Sequence, residues 1–192
     1  MKKIFTIIAA WALLVLSASC EKFDPGQTAT QNLAGNWMCT VYVPGEDGFE
    51  PYTGIEIVTC NTAANLATEI WIDDSEAFWG TKCKVSASSP DFTFGAAGVE
   101  VLDIYNEVGQ MIWDGKVTEN GAKAPGTNTT VDKIEFFIAF SDDEEPYAYP
   151  YYIVGYRRTG FPEDDDNFAD DWTVPAMPTV PAVTSPLPAT AQ

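Results

Sequence analysis

From Val131 to Phe140 the chain alternates, with Ile134, Phe136, Ile138 and Phe140 on one side and Lys133, Glu135, Phe137 and Ala139 on the other. An apolar helix stripe recurs every three to four residues, so a period of two is the mark of a strand lying on a core. Similar runs are expected as strands at 36–43, 55–60, 66–73, 78–87, 91–94, 99–105, 110–118 and 150–160. Turn-forming stretches separate them, such as Pro44-Gly45-Glu46-Asp47-Gly48 and the polar loop 119–130. Within 110–118, Asp114-Gly115 marks either a bulge or a tight turn. One helical turn before Gly35 is the longest helical window, and no repeat of 20–50 residues is present. About eight strands without intervening helices make a sandwich or a barrel, and closure removes the exposed edges that many strands would otherwise present.

Two short sequences favour the barrel. Gly35-Asn36-Trp37 opens the first strand, in which Trp37, Cys39, Val41 and Val43 share a face opposite Met38, Thr40 and Tyr42. Gly35 allows the sharp turn that leads into it. The last strand ends in Val154-Gly155-Tyr156-Arg157-Arg158. A Gly-x-Trp opening with a late arginine resembles the lipocalins and the wider calycin family. That resemblance implies a single antiparallel up-and-down β-barrel whose arginine lies across the indole and closes one end. Such a cation–π contact contributes roughly 0.5–2 kcal/mol.

The ends of the chain differ from its middle. Lys2-Lys3 followed by the apolar run from Ile4 to Leu16 reads as a secretory signal, too short to span a bilayer. Ser17-Ala18-Ser19-Cys20 resembles a bacterial lipobox, with Ser17 standing where leucine is usual. Residues 1–19 are thus expected to be a lipoprotein signal peptide. Cys20 is the expected acylation site, palmitate among its chains, at the head of a tether over 20–34. Acyl chains at about 0.8 kcal/mol per buried CH₂ would hold such a protein on a membrane. Glu21-Lys22-Phe23-Asp24 resembles an acidic export tag, which implies a surface-exposed position on the outer membrane. The barrel is expected over 35–162. Beyond it, 163–171 is acidic and 173–192 is rich in Pro, Ala, Thr and Val, the composition of a disordered or polyproline-like tail.

Composition excludes several functions. Ten Lys+Arg face 28 Asp+Glu, a net charge of −18, which argues against nucleic acid and against basic-patch adhesion to anionic lipid. Histidine is absent, which removes Ser-His-Asp and Cys-His catalysis and every imidazole metal site. Three cysteines remain after acylation, Cys39, Cys60 and Cys83, permitting one disulfide in any of three pairings. Cys39 and Cys83 fall on inward faces and are expected as buried free thiols. The acidic run from Asp164 fails the EF-hand template, with Phe168 and Ala169 at its fifth and sixth positions. No catalytic residue, metal ligand or cofactor is assigned. An eight-stranded barrel is filled by side chains or holds one small ligand. If it holds one, Trp37, Val41, Trp79, Trp113, Phe136, Ile138 and Tyr152 are the candidate lining residues, since an apolar wall with few polar groups suits an acyl chain.

The pieces also combine. Asp24-Pro25-Gly26 and Leu33-Ala34-Gly35-Asn36-Trp37 follow Cys20. Then come Gly115-Lys116-Val117, Phe140-Ser141-Asp142-Asp143 and Gly155-Tyr156-Arg157-Arg158-Thr159-Gly160-Phe161-Pro162-Glu163-Asp164. Over residues 20–166 this order resembles the lipocalin-like lipoproteins of Bacteroidetes called lipid-binding putative hydrolases. The resemblance implies a calycin-type barrel holding a small hydrophobic ligand at the outer membrane, and it brings no catalytic motif to any residue. The residues themselves leave two alternatives open. One is a filled barrel whose acidic loops meet an outer-membrane protein partner; the other is a hydrolase using carboxylates.

Overall fold

A computed structural model of the chain describes residues 26–166 together with 178–179. The expected signal peptide, the expected acylation site Cys20, the first part of the expected tether and most of the expected tail lie outside the described residues.

Among these residues nine strands form one antiparallel sheet: β1 (Gly35–Gly45), β2 (Gly48–Asn61), β3 (Glu69–Asp73), β4 (Lys82–Ser88), β5 (Thr93–Phe94), β6 (Glu100–Leu102), β7 (Gly109–Lys123), β8 (Thr130–Phe140) and β9 (Tyr151–Arg157). Among the described residues a 3₁₀ turn (Ser89–Asp91) precedes β5, and one short α-helix, α1 (Pro162–Asp165), follows β9. The order is β5-β4-β3-β2-β1-β9-β8-β7-β6, and β5 also pairs with β7, so eight strands close into a ring with β6 outside it. The chain is therefore an up-and-down barrel, as its alternation predicts.

Closure depends on a bulge. β5 joins β7 through Thr93↔Lys116 and Phe94↔Gly115, next to a break in the β7–β8 register between Trp113 and Lys116. Asp114 there has φ 52°, and a Cβ on Gly115 would collide with the Phe94 ring. The extra residue shifts the alternation, so Ile112 and Val117 both reach the interior although five positions separate them.

Two apolar clusters result. The inner one fills the barrel with Trp37, Cys39, Val41, Ile55, Ile57, Ile70, Ile72, Phe136 and Ile138 among others, every one of them buried. Each large side chain so buried contributes about 1.5–3 kcal/mol. The second lies on the opposite face of β1, β7, β8 and β9 and includes Met38, Tyr42, Trp113, Phe137, Tyr152, Val154 and Tyr156.

Several segments differ from the sequence expectation: β2 begins at Gly48 rather than Ile55, residues 66–68 and 91–92 lie outside strands, and β9 ends at Arg157. Residues 78–81 form a loop rather than the start of β4, because Asp74 accepts the backbone N–H groups of Glu76, Phe78 and Trp79 and winds the chain around its carboxylate. Only Glu100–Leu102 pairs within 99–105, because Asp103 accepts from the N–H groups of Tyr105 and Asn106 and turns the chain. The expected loop 119–130 is shorter, since β7 runs to Lys123 and β8 starts at Thr130.

Candidate functional site

The ends of the barrel differ in chemistry. At one end Trp37 is fully buried and its indole N–H donates to Thr59 Oγ1 at 2.8 Å. That hydroxyl donates in turn to the Leu33 carbonyl at 2.5 Å, fixing the turn before β1 across the opening. The Arg157 guanidinium carbon lies 4.3 Å from the Trp37 ring centroid. Its Nε donates to Asp132 Oδ2 at 2.9 Å and its Nη1 to the Ala34 carbonyl at 2.7 Å. A Cβ on Gly35 would run into that guanidinium. Arg158 points the other way, onto Asp165 at 2.6 Å and Glu56 at 3.4 Å. Outside this end is an open depression of about 430 Å³ bordered by Asn36, Arg157, Arg158, Thr159 and Gly160. Its two guanidinium groups already have carboxylate partners, so this end is a seal.

The opposite end is shut by the loop over residues 74–80. Asp74 is buried, and both of its oxygens accept backbone N–H groups of the loop. The loop lowers two aromatic rings into the mouth. Trp79 stacks on Phe140 with centroids 4.4 Å apart, and its indole N–H donates to Asp142 Oδ1 at 2.9 Å. Phe78 sits edge-on to Trp79, Phe140 and Tyr151 at 5.3–6.1 Å. Exposed Tyr52 covers it from outside, at 6.1 Å.

Beneath Phe78 is a void of about 10 Å³, lined by Ile55, Ile57, Ile72, Phe136, Ile138 and Ile153, with Asp74 and Thr81 at its upper edge. A space of that size admits about one water. The space beneath Phe78 is therefore too small for an acyl chain in this conformation.

The candidate lining residues divide accordingly. Trp37, Val41, Phe136 and Ile138 belong to the inner cluster, and Trp79 packs against it from the mouth. Trp113 and Tyr152 do not line the interior. Tyr152 shares its face with Val154 and Tyr156 while Ile153 points inward, and Trp113 faces opposite Ile112. Tyr152 donates its hydroxyl to Glu135 Oε2 at 2.7 Å, and Trp113 stacks on Phe137. Sequence reasoning missed Phe78 and Asp74. The available signal was Asp73-Asp74-Ser75, since a short carboxylate readily bonds N–H groups two or more residues on.

The two inner thiols, Cys39 and Cys83, offer no nucleophile. Cys39, Cys60 and Cys83 are all free. Burial, reinforced by Asp103 and Asp74, pushes the Cys83 thiol up to about 12. Burial with a contribution from Glu56 likewise raises Cys39. Both stay protonated near neutral pH, and the thiolate is the reactive form.

Residues 22–162 match the family described as "Lipid-binding putative hydrolase". No curated protein matches the chain.

Proposed function

The chain belongs to the lipid-binding putative hydrolase family, and from that membership we propose that its barrel takes up a small amphiphile, acyl chain first, through the mouth under residues 74–80. One observation carries the reading: an interior walled by isoleucine and phenylalanine is sealed at one end and shut at the other only by a short loop. Apolar concavities with few polar groups are the usual sites for such ligands. Binding rather than hydrolysis fits the interior, because Asp74 already has both oxygens engaged by N–H groups and the inner thiols are protonated. We place the protein on the bacterial outer membrane, anchored by acylated Cys20. The segment from Gly26 reaches β1 at the sealed end, where Ala29 N–H donates to Asn65 Oδ1. An anchor at Cys20 would therefore hold that end to the bilayer and turn the mouth outward.

A second reading, docking to a protein partner, draws on Leu102, Ile104 and Tyr149, which are exposed around the mouth. Native mass spectrometry separates the two. An amphiphile bound in the barrel is expected to appear as a co-purifying adduct of one whole amphiphile per protein that is lost when the protein is denatured, unlike a lipid joined covalently to Cys20. Phe78→Ala should carry a larger adduct fraction, since it removes the ring that fills the mouth. A chain free of adduct in both forms, which also leaves an added uncharged naphthylamine probe dark, would refute the proposal.

A further inference from the structure

Gln110 is the first inward residue of β7 and is completely buried, yet neither Oε1 nor Nε2 has a partner among the described residues. Its place in the wall follows from register. It pairs with Phe140 on β8 and Val101 on β6, both packed in or against the inner cluster, and Ile112 two positions on belongs to that cluster. Residues paired directly across strands share a face. The amide thus lies on the inner wall beside Phe140, the ring on which Trp79 of the closing loop is stacked. A buried amide with nothing to bond is among the costlier features a core can hold. A leucine or methionine would fill the position without that cost.

The surroundings restrict what could bond there. The connections at this end, residues 44–48, 74–81, 95–108 and 141–150, each contain acidic residues and contain no lysine or arginine. Lys82, at the start of β4, is held by Asp73 at 2.6 Å and donates to the Tyr105 hydroxyl. A ligand carboxylate or phosphate would enter a field of its own sign with no cation to receive it. A neutral amide offers one acceptor and two donors, which match a hydroxyl or amide head.

We propose that Gln110 binds the polar head of an uncharged amphiphile, one ending in hydroxyl or amide groups, whose acyl chain lies against the isoleucine-lined interior. This assignment of ligand class rests on the barrel-binding reading above. The mechanism needs only that the loop 74–80 lift, so that the chain displaces Phe78 and the head stops at the amide.

Displacement of an uncharged naphthylamine probe tests it, comparing monododecanoylglycerol with dodecanoate at pH 8, where the carboxylate is ionised. The glycerol ester is expected to bind at least about tenfold more tightly. Gln110→Leu should weaken the ester severalfold and remove most of that preference. It should also raise Tm by about 3 °C or more, because an unbonded buried amide is gone. Equal or tighter binding of dodecanoate would overturn the head-group assignment, as would a preference unchanged in Gln110→Leu. So would a variant that melts several degrees lower, which would make the amide structural. If neither amphiphile displaces the probe, the barrel-binding reading itself fails, a result distinct from the others.

Discussion

Replacing Trp37 by alanine is expected to lower folding stability by about 5 kcal/mol, enough to leave much of the protein unfolded at 37 °C. The side chain is fully buried at the sealed end, and removing a buried aromatic ring costs about 3–5 kcal/mol through lost transfer energy and the cavity left behind. Loss of the contact with Arg157, 4.3 Å from the ring centroid, adds roughly 0.5–2 kcal/mol. Domains of this size are stable by only about 5–15 kcal/mol in total. Urea unfolding followed by circular dichroism measures the difference. Arg158→Ala, which removes the part-exposed ion pairs with Asp165 and Glu56 beside the same seal, should cost no more than about 1 kcal/mol by the same method. Equal effects of the two substitutions would mean that the ring does not hold the end closed.

The second large effect is expected at Asp164, and it depends on pH. After β9 the chain passes through Thr159 into α1, where the Asp164 carboxylate is fully buried. Its Oδ1 accepts the N–H groups of Gly126 at 3.0 Å and Thr127 at 2.7 Å. Its Oδ2 accepts the hydroxyls of Thr127 at 2.9 Å and Thr159 at 2.6 Å. The Tyr156 hydroxyl donates to the Asp164 carbonyl at 2.7 Å. One carboxylate thereby clasps the end of the barrel chain to the β7–β8 hairpin. Asp164→Ala should cost about 3 kcal/mol, as four donors lose a charged acceptor. Burial pushes this carboxyl up, but the four donors outweigh it and hold the group below the usual aspartate range. A depressed carboxyl stabilises fully above its unfolded value of about 3.9 and loses that contribution as pH falls through the folded value. The gap between wild type and Asp164→Ala should accordingly be constant from pH 5 to pH 7 and narrow below about pH 4. A gap that widens in acid would contradict the clasp.

How much of this was legible in the sequence depended on which interaction set each feature. The alternation from Ile134 to Phe140 sorts inner from outer side chains correctly because a strand's period of two is geometric. The pairing of Trp37 with a late arginine was readable as a resemblance, but not which of the two arginines faces the ring. That is decided by strand parity at Gly155, whose missing Cβ lets the β1 backbone at Met38 and Cys39 pass close by. Trp113 and Tyr152 were misplaced because both faces of β7, β8 and β9 are apolar, so hydrophobicity cannot say which one is the interior. The bulge at Asp114–Gly115 further shifts the phase along β7. The loop over the mouth was hidden for another reason. Phe78 and Trp79 have strand-like propensity, and only the carboxylate of Asp74 turns them out of a strand. Gln110 gave no sign at all, since a polar residue at a strand end normally faces water.

The central claim is that an amphiphile enters the barrel itself, and methyl NMR of isoleucine-labelled protein tests it most directly. Ile55, Ile57, Ile72, Ile138 and Ile153 surround the small void beneath Phe78, whereas Ile104 is exposed near the mouth. Titration with monododecanoylglycerol should shift the five interior methyl signals together, saturating at one equivalent. Shifts confined to Ile104, or none at any isoleucine, would show that the barrel stays filled and that the ligand, if any, remains outside.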